Sequence, residues 1–147
     1  MSNSDSPPGS ALTDCAQEYV TPVDQLQEVS QRAARMAQRK LRVHQRIEQY
    51  LESHLYCAIR SGQLASIACV SVSHFNRVFR KRFGSSPAAY VRQFRIRRAQ
   101  RMMLESGEAL GWISLACGFY DQAHFSRTFH RLVGMSPSEW RRLSKPG

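Results

Sequence analysis

From Leu26 onward the apolar positions recur at alternating spacings of three and four: Leu26, Val29, Ala33, Met36, then Val43, Ile47 and Tyr50. Lys40 alone interrupts the series. Residues three and four apart share one face of an α-helix, so the spacing predicts one or two amphipathic helices. Thr21 suits the N-cap, Pro22 the first turn, and Asp24 a capping-box position reaching back. The later part of the stripe is expected to pack on a following domain. The same heptad-like period also fits a dimer-forming coiled coil, although Ala33 and Lys40 weaken its seam.

Beyond Tyr50 the pattern shortens and then repeats. "LASIAC" reads as a short helix, "VS" as a turn, and "SVSHFNRVFRKRF" as a second helix capped by Ser71. "WISLAC", the turn "GFYD" and "DQAHFSRTFHRLV", capped by Asp121, state the same unit again. The stretches "HFNRVFRKRFGSSPAAYVR" from His74 and "HFSRTFHRLVGMSPSEWRR" from His124 agree at eight of nineteen positions. An internal repeat of this kind means one supersecondary unit used twice. Gly62 and Gly111 lie 49 residues apart, whereas Ser71 and Asp121 lie 50 apart, so the second turn is longer by one residue. Each copy closes with a glycine (Gly84, Gly134) suited to a left-handed helix end. A serine N-cap follows (Ser86, Ser136), then a proline in the first helical turn (Pro87, Pro137). Glu139 is placed to complete a capping box with Ser136. The segment between the copies contains no breaker and is expected to be a long connecting helix. Tyr90, Val91, Phe94, Ala99, Met102 and Met103 are expected on one buried side, and Arg92, Arg95, Arg98 and Arg101 around another.

With Phe75 at the centre of a buried face and ~100° per residue, Val78 and Phe79 join it. Ser73, Arg77 and Arg80 then point outward, with Asn76 on the flank. The second copy buries Phe125, Thr128 and Phe129 and presents Ala123, Arg127 and His130, with Gln122 at the helix start. A helix with an aromatic spine and an Arg/Asn outer face fits a DNA major groove. There Arg grips guanine O6 and N7, and Asn or Gln grips adenine. A connecting helix of roughly 18 residues spans ~27 Å. Successive major grooves on one face of B-DNA lie ~34 Å apart. One chain is therefore expected to reach two adjacent grooves.

Charge supports a polyanion partner. The 147 residues carry +10 overall, but residues 1–30 hold five acids and no Lys or Arg, leaving +15 on the remainder. Residues 1–20 are Ser/Pro-rich with little to bury, and a disordered acidic tail is expected there. Residues 21–42 are expected to form an N-terminal helix or linker, and 143–147 a short tail. No apolar run approaches the ~18 residues that span a membrane, and no basic-then-apolar leader opens the chain. A cytoplasmic protein is expected, with its four cysteines reduced and mostly buried. There is no H-E-x-x-H, phosphate-binding glycine loop, Ser/His/Asp arrangement or paired-carboxylate motif. The expectation is therefore no enzyme, no cofactor and no metal. His74 and His124 hold equivalent repeat positions and read as structural.

Residues from about 43 to 142 resemble the DNA-binding domain of AraC/XylS-type bacterial transcription regulators. The resemblance rests on "ISLACGFYDQAHFSRTFHRLVGMSPSEWR" and on "RIRRAQRMML" in the connecting segment. It implies an all-α fold of seven helices, with two helix-turn-helix lobes joined by a long helix and recognition helices in residues 71–83 and 121–133. It also implies base-reading roles for Ser73, Asn76 and Arg77, and for Gln122, Ala123, Ser126 and Arg127. Arg80, His130 and the connector's Arg92 and Arg98 are further candidates for DNA contact. Three departures stand out. Cys69 occupies a turn position where glycine is common, Ser114 brings a hydroxyl into tight packing, and Gly62 and Gly111 weaken short helices if they are interior. Ala123 offers no polar group to a base. About forty residues precede the domain, too few for the effector domain most relatives carry. The chain is thus similar to the short, single-domain MarA/SoxS-like members, which act as monomers on asymmetric sites. Duplex DNA and RNA polymerase are the expected partners, for a regulator or activator of transcription. The alternative is an interaction protein whose N-terminal helix binds another transcription factor.

Overall fold

The computed structural model describes residues 22–145. Among them it places seven helices and no strand: α1 (Pro22–His54), α2 (Ser61–Ile67), α3 (Val72–Phe83), α4 (Pro87–Glu105), α5 (Leu110–Ala116), α6 (Gln122–Val133) and α7 (Pro137–Ser144). The expected Thr21 cap and acidic tail lie outside the described residues. The chain divides between Gln38 and Arg39 into two units. In the first, Leu26, Val29 and Met36 of α1 are exposed. In the second, the same apolar period is used for packing. Ile47, Leu51 and Leu55 are buried, and Val43 and Tyr50 pack against them.

The second unit has two apolar centres. One gathers Ile47, Leu51, Leu55, Leu64, Ala65, Phe75, Phe79, Tyr90, Val91 and Phe94. The other gathers Ile96, Ala99, Met103, Ile113, Cys117, Phe119, Phe125 and Phe129. Helix α4 serves both, and this corrects the expectation of a single buried side. At ~100° per residue, Tyr90, Val91 and Phe94 cluster roughly 170° around the axis from Ile96, Ala99 and Met103. The N-terminal half of α4 closes the first lobe, and its C-terminal half opens the second on the opposite side. Burial of each large apolar side chain contributes ~1.5–3 kcal/mol.

Local chemistry sets the helix ends. The Ser71 hydroxyl accepts from His74 N–H at 3.2 Å and the Asp121 carboxylate accepts from His124 N–H at 2.6 Å. Ser86 and Ser136 cap α4 and α7, each with proline in the first turn. Gly84 and Gly134 end α3 and α6 with φ of 66° and 90°, which glycine adopts at no steric cost. Gly62 and Gly111 fall in the first turns of α2 and α5 rather than in helix interiors, where their cost would be greater. The Ser114 hydroxyl is fully buried and donates to Gly111 O at 2.7 Å, so the hydroxyl brings no unpaired group into the packing.

Two further expectations are corrected. Val78 is 44% exposed while its repeat counterpart Thr128 is 3% exposed, so the flanks of the two repeated helices are covered differently. Of the cysteines described, Cys57 and Cys69 are exposed and only Cys117 is buried.

Candidate nucleic-acid interface

Each lobe presents its second helix with the aromatic spine inward. On α3, Phe75 and Phe79 are buried while Ser73, Arg77 and Arg80 are exposed. Lys81 is exposed as well, and it lies one turn beyond Arg77 on the same face. On α6, Phe125, Thr128 and Phe129 are buried, and Gln122, Ala123, Arg127 and His130 are exposed, with Arg131 one turn beyond Arg127. Lys81 and Arg131 extend the two outer faces. Their i+4 relation to Arg77 and Arg127 was the signal in the sequence that could have found them.

Two candidates sit on the flanks. Asn76 and Ser126, which are repeat equivalents, are both half-buried. The Asn76 Oδ1 is enclosed and has no hydrogen-bond partner.

The arginines of α4 do not form one face. A three-residue spacing drifts ~60° per step on a helix of ~100° per residue, so four such residues sweep half the circumference. Arg92 is exposed. Arg95 donates from Nη2 to Cys57 O at 2.8 Å, and burial lowers the pKa of its guanidinium. Arg101 meets the Glu52 carboxylate at 3.4 Å. Arg98 is half-buried, and its charge acts on the Cys117 thiol. Arg92, Arg97 and Arg101 are therefore the exposed connector arginines, Arg101 paired with Glu52 at the surface, while Arg95 is held against the Cys57 carbonyl.

Among the described residues no group of three or more His, Cys, Asp or Glu is placed to hold a metal, and no helix is long and apolar enough to cross a membrane. What remains is a pair of cationic helix faces on one scaffold. A helix-turn-helix domain family matches residues 64–143, more than half the chain. The chain belongs to the AraC-type helix-turn-helix family. That family is one of DNA-binding domains, not of enzymes.

Relatives of this AraC-type chain include the probable transcriptional regulator LumQ of Photobacterium leiognathi. It is 35% identical over 95 residues, which are 65% of this chain and 38% of LumQ. The transcriptional activator RhaR of Klebsiella pneumoniae is 40% identical over 67 residues, covering 46% of this chain and 24% of RhaR. The chain thus spans well under half the length of these relatives. Among solved structures, an AraC-type regulator of Chromobacterium violaceum aligns with a TM-score of 0.62 at 27% identity, over 67% of this chain and 89% of that one. The DNA-binding domain of AdpA, solved in complex with a target DNA, aligns with a TM-score of 0.59 at 28% identity, over 65% and 86%.

Proposed function

We propose that this chain binds a specific duplex DNA sequence and regulates transcription from it in the bacterial cytoplasm, with α3 and α6 entering successive major grooves. The observation that carries the reading is the matched pair of outer faces. Arg77 with Lys81, and Arg127 with Arg131, stand on equivalent helices after equivalent turns. The 19 residues of α4 span ~28 Å, close to the ~34 Å between grooves on one face. Ser73, Asn76 and Arg77 read one half-site, and Gln122, Ser126 and Arg127 read the other. Ala123 contributes only apolar contact. Arg80, His130 and Arg92 lie toward the phosphates, and Arg98 is a weaker candidate because it is half-buried. The relatives named as transcriptional regulators and the AdpA–DNA complex support the same reading. The two faces carry different donors and acceptors, so the site is asymmetric and one copy of the chain fills it. At a promoter, RNA polymerase is the partner this role requires.

Selection of bound sequences from a random duplex library, followed by hydroxyl-radical footprinting on the best site, tests the proposal. The expected footprint is two protected segments about one helical turn apart on one face of a non-palindromic site. A palindromic footprint holding two copies would overturn the single-copy arrangement. Absence of any enriched sequence would overturn the function.

A further inference from the structure

The two lobes are joined a second time, away from the axis of α4. Gly118, in the turn between α5 and α6, has φ 79°, and any Cβ placed there would collide with the backbone carbonyl of Leu55. Leu55 belongs to the first lobe's core, and the neighbouring residues Cys117 and Phe119 belong to the second's. The Arg95 guanidinium carbon lies 3.0 Å from the same Cβ position, while its Nη2 holds Cys57 O, two residues beyond Leu55. Arg95 therefore clamps the loop after α1 against the turn that leads into α6. The equivalent position in the first lobe, Cys69, is exposed, so this turn-to-loop joint is made by the second turn.

We propose that Arg95 and Gly118 form a register joint that fixes the separation and rotation of α6 relative to α3, and so sets the half-site spacing this chain accepts. A lobe attached through α4 alone is free to swing as that helix bends and twists. A second attachment off the axis blocks the swing. The joint begins next to Phe119, whose ring packs on Phe125 of α6 at 5.2 Å, so the constraint passes directly to the reading helix. Arg95 is a positioning residue. It is half-buried on α4 and bonded to the Cys57 carbonyl, and it acts on α3 and α6 through where they lie.

The inference rests on the DNA-binding reading, and its test separates the two. Affinity is measured for the selected site and for versions with one base pair inserted or removed between the half-sites, a shift of ~3.4 Å and ~35°. Wild-type protein is expected to bind the altered sites on the order of 30-fold or more weakly, as a lobe loses its base contacts. Arg95→Met is expected to compress that ratio to about 5-fold or less while each half-site keeps its preferred bases. Arg95→Lys, which retains a donor on a long stem, is expected to restore part of the ratio. Melting curves confirm folding. Should Arg95→Met fail to fold, Arg95→Gln, which keeps a polar end but shortens the reach to the Cys57 carbonyl and leaves both aromatic spines intact, takes its place. A wild-type spacing ratio in the folded variant would overturn the joint and leave the function standing. A wild-type protein without sequence preference would bring down both.

Discussion

Nη2 of Arg77 lies 3.1 Å from Nδ1 of His74, one turn earlier on α3, so the arginine at the centre of that helix's outer face is held by its own helix. The equivalent histidine in the second lobe is used differently. His124 packs edge-on against Phe119 with ring centroids 5.5 Å apart. A side chain already oriented loses less freedom on binding, which favours the first lobe as the stronger reader.

Arg77→Ala is therefore expected to relax discrimination at one or two base pairs by about 1–3 kcal/mol. His74→Ala, which leaves the guanidinium in place but unheld, is expected to cost less, about 0.5–1 kcal/mol at the same positions. Sequence selection with each variant is the measurement. A profile for Arg77→Ala identical to wild type would remove it from the reading face.

Binding is expected to weaken steeply with salt, with log K falling by about 0.9 per tenfold rise in salt for each phosphate neutralised. Lys81→Gln and Arg131→Gln should each lower that slope by about one and leave the preferred sequence unchanged. Titrations at four salt concentrations suffice, and a nearly flat plot for wild type would contradict the cationic-face argument.

The two reading helices should differ in how much they depend on their caps. Ser71→Ala and Asp121→Ala are each expected to cost about 1 kcal/mol, within a range of 0.5–2. Asp121 should matter more, since its carboxylate adds charge at a helix N-terminus and makes the shorter bond, 2.6 Å against 3.2 Å. Urea melts of both variants check the order.

Alkaline pH should destabilise the fold. Burial pushes the Cys117 thiol up to about 11 from its ordinary 9.0, and Arg98 and Arg95 only partly offset this. Burial, and then the neighbouring Glu48 carboxylate, raises the Tyr90 phenol above its ordinary 10.0. Both groups hold their protons more tightly when folded. The stability this represents is complete below about pH 9 and is lost as pH rises toward 11. The melting temperature should be level from neutral pH to about pH 8.5 and fall above pH 9, and Cys117→Ala should flatten part of the fall. Iodoacetamide at neutral pH should modify Cys57 and Cys69 and spare Cys117, as peptide mass spectrometry would show.

Much of the fold was legible because it is written in short-range chemistry. Ser71, Asp121, Ser86 and Ser136 cap helices through bonds to residues three positions on. The Phe75/Phe79 and Phe125/Phe129 pairs announce a buried face by their spacing alone. What escaped depends on partners distant in sequence. Nothing near Val78 or Thr128 says which flank a neighbouring helix covers. The two-sided burial of α4 follows from its sitting between two cores, whereas periodicity within one helix suggests a single side. Arg95 looked like one more cation in a basic run, because Cys57 O and Gly118 are 38 and 23 positions away. The candidate contact residues lie on α3 and α6 as their spacing suggested, but the enclosure of the Asn76 amide oxygen required coordinates.

The left-handed turn residues Cys69 (φ 56°) and Gly118 (φ 79°) give the two copies unequal mutational freedom. At 118 a side chain is excluded twice, by the backbone conformation and by the Leu55 carbonyl. At 69 a side chain is already carried, facing solvent. Randomising both positions should leave, at the first, folded survivors that tolerate a left-handed φ, glycine and others besides, and little but glycine at the second. A sequence unit written twice is thus open to revision in one copy and fixed in the other, because only one copy is built against its neighbour.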